Sequence, residues 1–195
     1  MTSDSPADGS DETDERSGDT DDARTVEGLL RSADVIEPTA DGTDVRLTDP
    51  FERALSERIA QLRGGNRALR WLATTRGIDS DAITVTETDD QYVVGHDGET
   101  IGAWHSEAGF LATIAAEPTI REWIDEERLA DLDDEVRAEL SARLVMCLER
   151  CPSCEESLSF VDRERDDGSP EVVLQCQNCR AVVATAPAVG DDDSV

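Results

Sequence analysis

CPSCEESLSFVDRERDDGSPEVVLQCQNC, residues 151–179, holds four of the five cysteines of this 195-residue chain in two CxxC pairs separated by 21 residues. A CxxC turn points two sulfurs the same way and lets backbone N–H groups donate to them. A hairpin between two such turns then brings the pairs face to face. The hairpin is readable here: Leu158, Phe160 and Val161 fall on one strand, and Asp166-Asp167-Gly168-Ser169-Pro170 marks the turn. Val172-Val173-Leu174 returns to Cys176, and Ala181 to Ala184 supplies a third strand. Two CxxC pairs at this separation predict a tetrahedral thiolate site made by Cys151, Cys154, Cys176 and Cys179.

Residues 151–186 resemble the zinc ribbon family in its CPxC followed by CxxC form. The resemblance implies one Zn2+ per chain, and four thiolates filling four positions imply a structural ion rather than a catalytic one. Many ribbons place glycine just after each cysteine turn, where the chain prefers positive φ; here Glu155 and Arg180 stand there. Rubredoxins share the paired turns and bind iron, so a redox centre is the competing metal reading, which the scarcity of aromatics in this segment disfavours. Disulfides are the other alternative; an odd total of five cysteines and the absence of an apolar leader favour the reduced, metal-bound form.

Ahead of the cysteines, residues 133–150 read as a connecting amphipathic helix capped by Asp133, with Val136, Leu140, Leu144 and Leu148 on one stripe. Cys147 falls on or beside that stripe and reads as a core residue, not a ligand. Residues 78–132 have another rhythm. Ile83 and Val85 alternate with threonines, Tyr92-Val93-Val94 follows, and Asp97-Gly98 turns the chain into Ile101 to Trp104, which predicts an antiparallel meander. Ser106 is expected to cap a first helix and Pro118 to open a second. His96 and His105, the two histidines of the chain, read as a turn and a strand-end residue.

Residues 24–77 give a short helix, a hairpin and two helices. Asp49 is expected to cap the longer one, with Phe51, Leu55, Ile59 and Leu62 on its apolar stripe and Gly64-Gly65 at its end. This helix, hairpin, helix order resembles the back half of a winged-helix domain. Between Arg53 and Arg76, six arginines, Arg53, Arg58, Arg63, Arg67, Arg70 and Arg76, face Glu57 alone, a net charge of +5. Arginines contact phosphates and an aromatic can stack on a base, so Arg63, Arg67, Arg70 and Trp71 are the candidate nucleic-acid surface. Against it stands the reading that these arginines pair with carboxylates elsewhere in the fold.

The remainder of the chain is acidic. Its net charge is −28, every basic residue is arginine, and there is no lysine. Residues 1–23 carry −8 and Asp191 to Asp193 carry −3, so 1–23 and 187–195 are expected to be disordered acidic tails. The composition resembles proteins of salt-loving archaea, and the whole resembles their uncharacterised multi-part zinc-ribbon proteins. In molar salt the Debye length is only about 3 Å, so the total charge speaks of solvent and not of ligand. The longest apolar run, Leu144 to Leu148, is far too short for a membrane span, and a cytoplasmic location is expected. Phosphate-loop, nucleophile-elbow and HExxH motifs are absent, and lysine chemistry is excluded. The sequence therefore predicts an α+β, non-enzymatic zinc protein acting as a protein-interaction or regulatory adaptor, with nucleic-acid binding as the alternative.

Overall fold

The computed structural model describes residues 25–88, 90–165 and 167–188. The expected acidic tails lie outside the described residues, except for residues 187 and 188. So does any helix ahead of Val26 that a winged-helix reading would need. The fold is α+β. Helices are α1 (Val26–Ser32), α2 (Asp49–Leu62), α3 (Arg67–Arg76), α4 (Glu107–Trp123), α5 (Glu126–Ala130) and α6 (Asp134–Met146). Strands are β1 (Ile36–Pro38), β2 (Val45–Leu47), β3 (Ile83–Glu87), β4 (Tyr92–His96), β5 (Glu99–Trp104), β6 (Leu158–Glu164), β7 (Pro170–Cys176) and β8 (Val182–Pro187). They form three antiparallel sheets, β1-β2, β3-β4-β5 and β6-β7-β8.

Helix α4 is the axis of the molecule. Ser106 caps it by accepting from the Gly109 N–H at 3.2 Å, and small residues such as Ala108, Gly109, Ala112, Ala115 and Ala116 are buried along it. Small side chains let neighbours approach from several directions; α2, α3, α6, β5 and β8 all pack on it. The helix boundary expected at Pro118 is not there: the helix runs through it and ends only where Ile124 turns extended. An interior proline forfeits the bond to the carbonyl four residues back and costs about 3 kcal/mol in an exposed helix. Here buried residues on both sides of Pro118, from Ile114 to Ile120, keep the helix continuous through it.

A second correction concerns the start of α2, where Thr48 and not Asp49 is the N-cap. The Thr48 hydroxyl makes no cap bond and donates instead to the Asp34 carbonyl at 2.6 Å, tying α2 to the end of α1. The stripe itself is as expected, with Phe51, Leu55, Ile59 and Leu62 buried. Phe51 meets Trp123 of α4 edge-on, ring centres 5.2 Å apart.

One aromatic cluster joins the middle sheet to α4. Phe110 stacks on Tyr92 at 5.2 Å and meets Trp104 edge-on at 4.8 Å. The Trp104 ring lies over Gly102, where a Cβ would come within 2.3 Å of it, so glycine is the slot that admits the indole.

The cysteine-bearing sheet is docked on the same axis. The Ser106 hydroxyl donates to the Val182 carbonyl at 2.6 Å, and His105 Nε2 lies 3.2 Å from Thr185 Oγ1. A Cβ on Gly109 would stand 2.6 Å from the Val183 carbonyl oxygen, a backbone atom with little room to yield. Gly109→Ala is therefore expected to force α4 and β8 apart and cost about 1–3 kcal/mol, as overpacked cores do. Denaturant unfolding in molar salt checks this; an unchanged midpoint would mean that the contact is soft. On β7, the central strand of this sheet, buried Glu171 is bracketed by Arg163 Nε of β6 at 3.0 Å and Arg165 Nε at 3.2 Å, which compensates its burial.

A single apolar cluster runs from Val26 through Phe51, Phe110 and Leu144 to Cys151, Cys176 and Val183. Cys147 is half-buried against it, and burial pushes its thiol up to about 11. That suits an inert packing residue, as the helical stripe implies.

Candidate metal centre

Two turns of the same design carry the cysteines. In the first, the Glu155 N–H donates to the Cys151 carbonyl at 2.9 Å; in the second, the Arg180 N–H donates to the Cys176 carbonyl at 3.2 Å. Glu155 and Arg180 both have φ 63°, so the left-handed position that usually takes glycine is kept although neither residue is glycine. The turns are closed by Cys151 N to Glu156 O at 2.8 Å and by Cys176 N to Ala181 O at 3.0 Å. They are tied to one another where the Gln177 N–H donates to the Ser157 carbonyl at 3.2 Å.

A left-handed non-glycine residue costs about 1–2 kcal/mol, while glycine loses about 0.5–1 kcal/mol more chain entropy on folding. Among the described residues only the backbone of Arg180 is engaged, accepting from Gln175 Nε2 at 3.0 Å and donating to Cys176. Arg180→Gly is thus expected to stabilise the protein by about 0.5–1 kcal/mol. A fall in the denaturation midpoint would contradict it.

These turns bring the four sulfurs within 4.8 Å of one another. Cys151 and Cys179 sulfurs are 3.7 Å apart and those of Cys154 and Cys176 3.4 Å, and all four thiols are free. A tetrahedral ion with metal–sulfur bonds of about 2.3 Å needs sulfurs about 3.8 Å apart, so the set fits a metal ion with small adjustments. Burial pushes the Cys151 thiol up to about 12 and also raises Cys179. The Glu156 N–H, donating to its sulfur, brings Cys154 down to about 7. Cys154 is the readiest thiolate; Cys151 and Cys179 need a cation beside them to shed their protons.

The arginine island is divided by the fold. Arg58 pairs with Glu122 of α4. Arg63, at the C-terminal cap of α2, reaches the first cysteine turn: its Nε donates to the Pro152 carbonyl at 2.7 Å and Nη1 to Glu155 Oε1 at 2.5 Å. Arg67 and Arg70 are exposed and meet no carboxylate at ion-pair distance among the described residues; Arg67 Nη1 lies 3.5 Å from the Gln61 carbonyl. Trp71 is half-buried against the central cluster. The role of Arg63 was not legible in the sequence, where the only signal was a positive island in a negative chain.

An α+β protein carrying four cysteines placed to hold a metal ion is the class that fold and site define. Residues 25–145 match the central domain of a family of unknown function, DUF8054, and the chain belongs to that family. The match ends ahead of the four cysteines. No curated protein matches the chain, and no solved structure does.

Proposed function

We propose that residues 151–186 are a zinc ribbon holding one structural Zn2+ through Cys151, Cys154, Cys176 and Cys179, and that the protein is a non-catalytic adaptor that docks another protein. The observation that carries the reading is the convergence of four free sulfurs within 4.8 Å, which leaves no ligand position open for water or substrate. Zinc is preferred over iron because four thiolates filling four tetrahedral positions suit a structural ion, and the scarcity of aromatics in residues 151–186 disfavours a rubredoxin-like redox centre. The absence of lysine and the charge of −28 support a salt-rich cytoplasm as its setting.

Support for a protein partner comes from β6, one of the two outer strands of the cysteine-bearing sheet, where Phe160 is 57% and Val161 42% exposed. An exposed aromatic is the kind of anchor that interfaces use. The second reading, nucleic-acid binding by residues 53–76, has one observation in its favour: Arg67 and Arg70 are free of acidic partners among the described residues.

Metal analysis and affinity capture, both in native salt, test the proposal. One zinc per chain, and a defined partner retained by wild type but lost by Phe160→Asp, is the expected result. Iron in the purified protein overturns the zinc assignment. Nucleic acid retained by wild type and lost by Arg67→Ala with Arg70→Ala moves the function to the second reading.

A further inference from the structure

Arg63 is more than one member of a surface ion pair. An exposed arginine–carboxylate pair is worth little on its own, and Glu155 is mostly exposed. What distinguishes Arg63 is its second bond, to the carbonyl of buried Pro152. Pro152 follows Cys151 and Glu155 follows Cys154, so one guanidinium grips the turn at both ends of the cysteine pair. A peptide carbonyl in a buried turn needs a donor, and Arg63 Nε supplies it. Glu155 holds a left-handed conformation that a side chain disfavours, and its tie to Arg63 helps keep it there.

The approach of Arg63 is itself fixed. It caps α2 in an extended conformation, φ −63° and ψ 136°, and the next two residues, Gly64 and Gly65, have φ 86° and 58°. The chain therefore turns away toward α3 while the side chain continues to the cysteines. A planar fork that donates from Nε and Nη1 in set directions can span a carbonyl and a carboxylate; a lysine ammonium offers one point charge and cannot reproduce the span. A cation here also opposes the −2 charge that four thiolates and one divalent ion would carry.

We propose that Arg63 is a positioning residue of the metal centre, holding the Cys151–Glu155 turn in its ligating form and anchoring the site to the end of α2. The inference rests on the metal reading above. Residues that orient ligands typically change metal affinity by about 10–100-fold when removed.

Full-length wild type, Arg63→Ala, Arg63→Lys and Glu155→Ala, each loaded with Co2+ or Zn2+ in molar salt, provide the test. The readouts are the Co2+–thiolate absorption spectrum and the rate of Zn2+ transfer to a chromophoric chelator. Arg63→Ala is expected to transfer zinc at least about tenfold faster and to shift the cobalt bands. Arg63→Lys should behave like the alanine variant although it keeps the charge, and Glu155→Ala should show a smaller change. If Arg63→Ala fails to fold, the lysine variant carries the comparison. Transfer rates and spectra equal to wild type in Arg63→Lys overturn the positioning role while the metal site stands. A wild-type protein that takes up neither ion overturns the metal reading and this proposal together.

Discussion

Cys176→Ser is expected to release the metal and to unfold far more than the turn that contains it. Cys176 has no solvent exposure, ends β7 and belongs to the cluster that runs back to α1. Structural zinc contributes an apparent binding free energy of about 10–16 kcal/mol in zinc-finger peptides at neutral pH. A whole domain is stable by only about 5–15 kcal/mol. Losing a ligand therefore removes an amount comparable to everything that holds the chain together. The expected outcome in molar salt is loss of bound metal together with loss of the cooperative thermal transition followed by tryptophan fluorescence. Chelation of the wild type should reproduce it. A variant that keeps wild-type melting behaviour would show that the helices around α4 stand without the metal centre.

Phe110→Ala is the second large effect. Its ring is 1% exposed, and it contacts Tyr92 of β4 and Trp104 at the end of β5. Phenylalanine-to-alanine changes in cores cost about 3–5 kcal/mol, and each aromatic pair adds about 0.5–1.5 kcal/mol beyond its buried area. Few alternatives exist to refill the space, because the chain has seven aromatic residues and three of them meet here. The middle sheet should detach from α4 before the rest unfolds, visible as early loss of amide protection in β3 to β5. A stability loss under 1 kcal/mol would mean that Tyr92 and Trp104 collapse into the vacated volume.

The features legible in the sequence were those governed by a local rule. Ser106 and Asp133 cap their helices because a side-chain oxygen can reach the N–H three residues on. Gly77 ends α3 in the left-handed form, and the two CxxC turns follow from spacing alone. Pro118 misled because its local rule is a strong one that burial on both sides of α4 overrides. Glu155 and Arg180 departed from the expected glycine, yet their backbones take the glycine conformation, so the turn dictates φ even where composition disfavours it. Arg63 was opaque for another reason. Its partners are 89 and 92 residues away in sequence, a distance across which no periodicity or motif speaks.

The match to the family's central domain ends at residue 145, but packing does not stop there. Leu144 and Val145 at the end of α6 are buried, and both α6 and α4 lie against β8, some 40 residues further along. A fragment ending at the limit of similarity would leave that apolar face wet and prone to self-association. The cysteine-bearing segment is thus a poor cassette for exchange between genes. Any replacement would have to bring a strand whose backbone fits against a bare Gly109, so the small residue at 109 and the strand across from it are expected to be inherited as a pair.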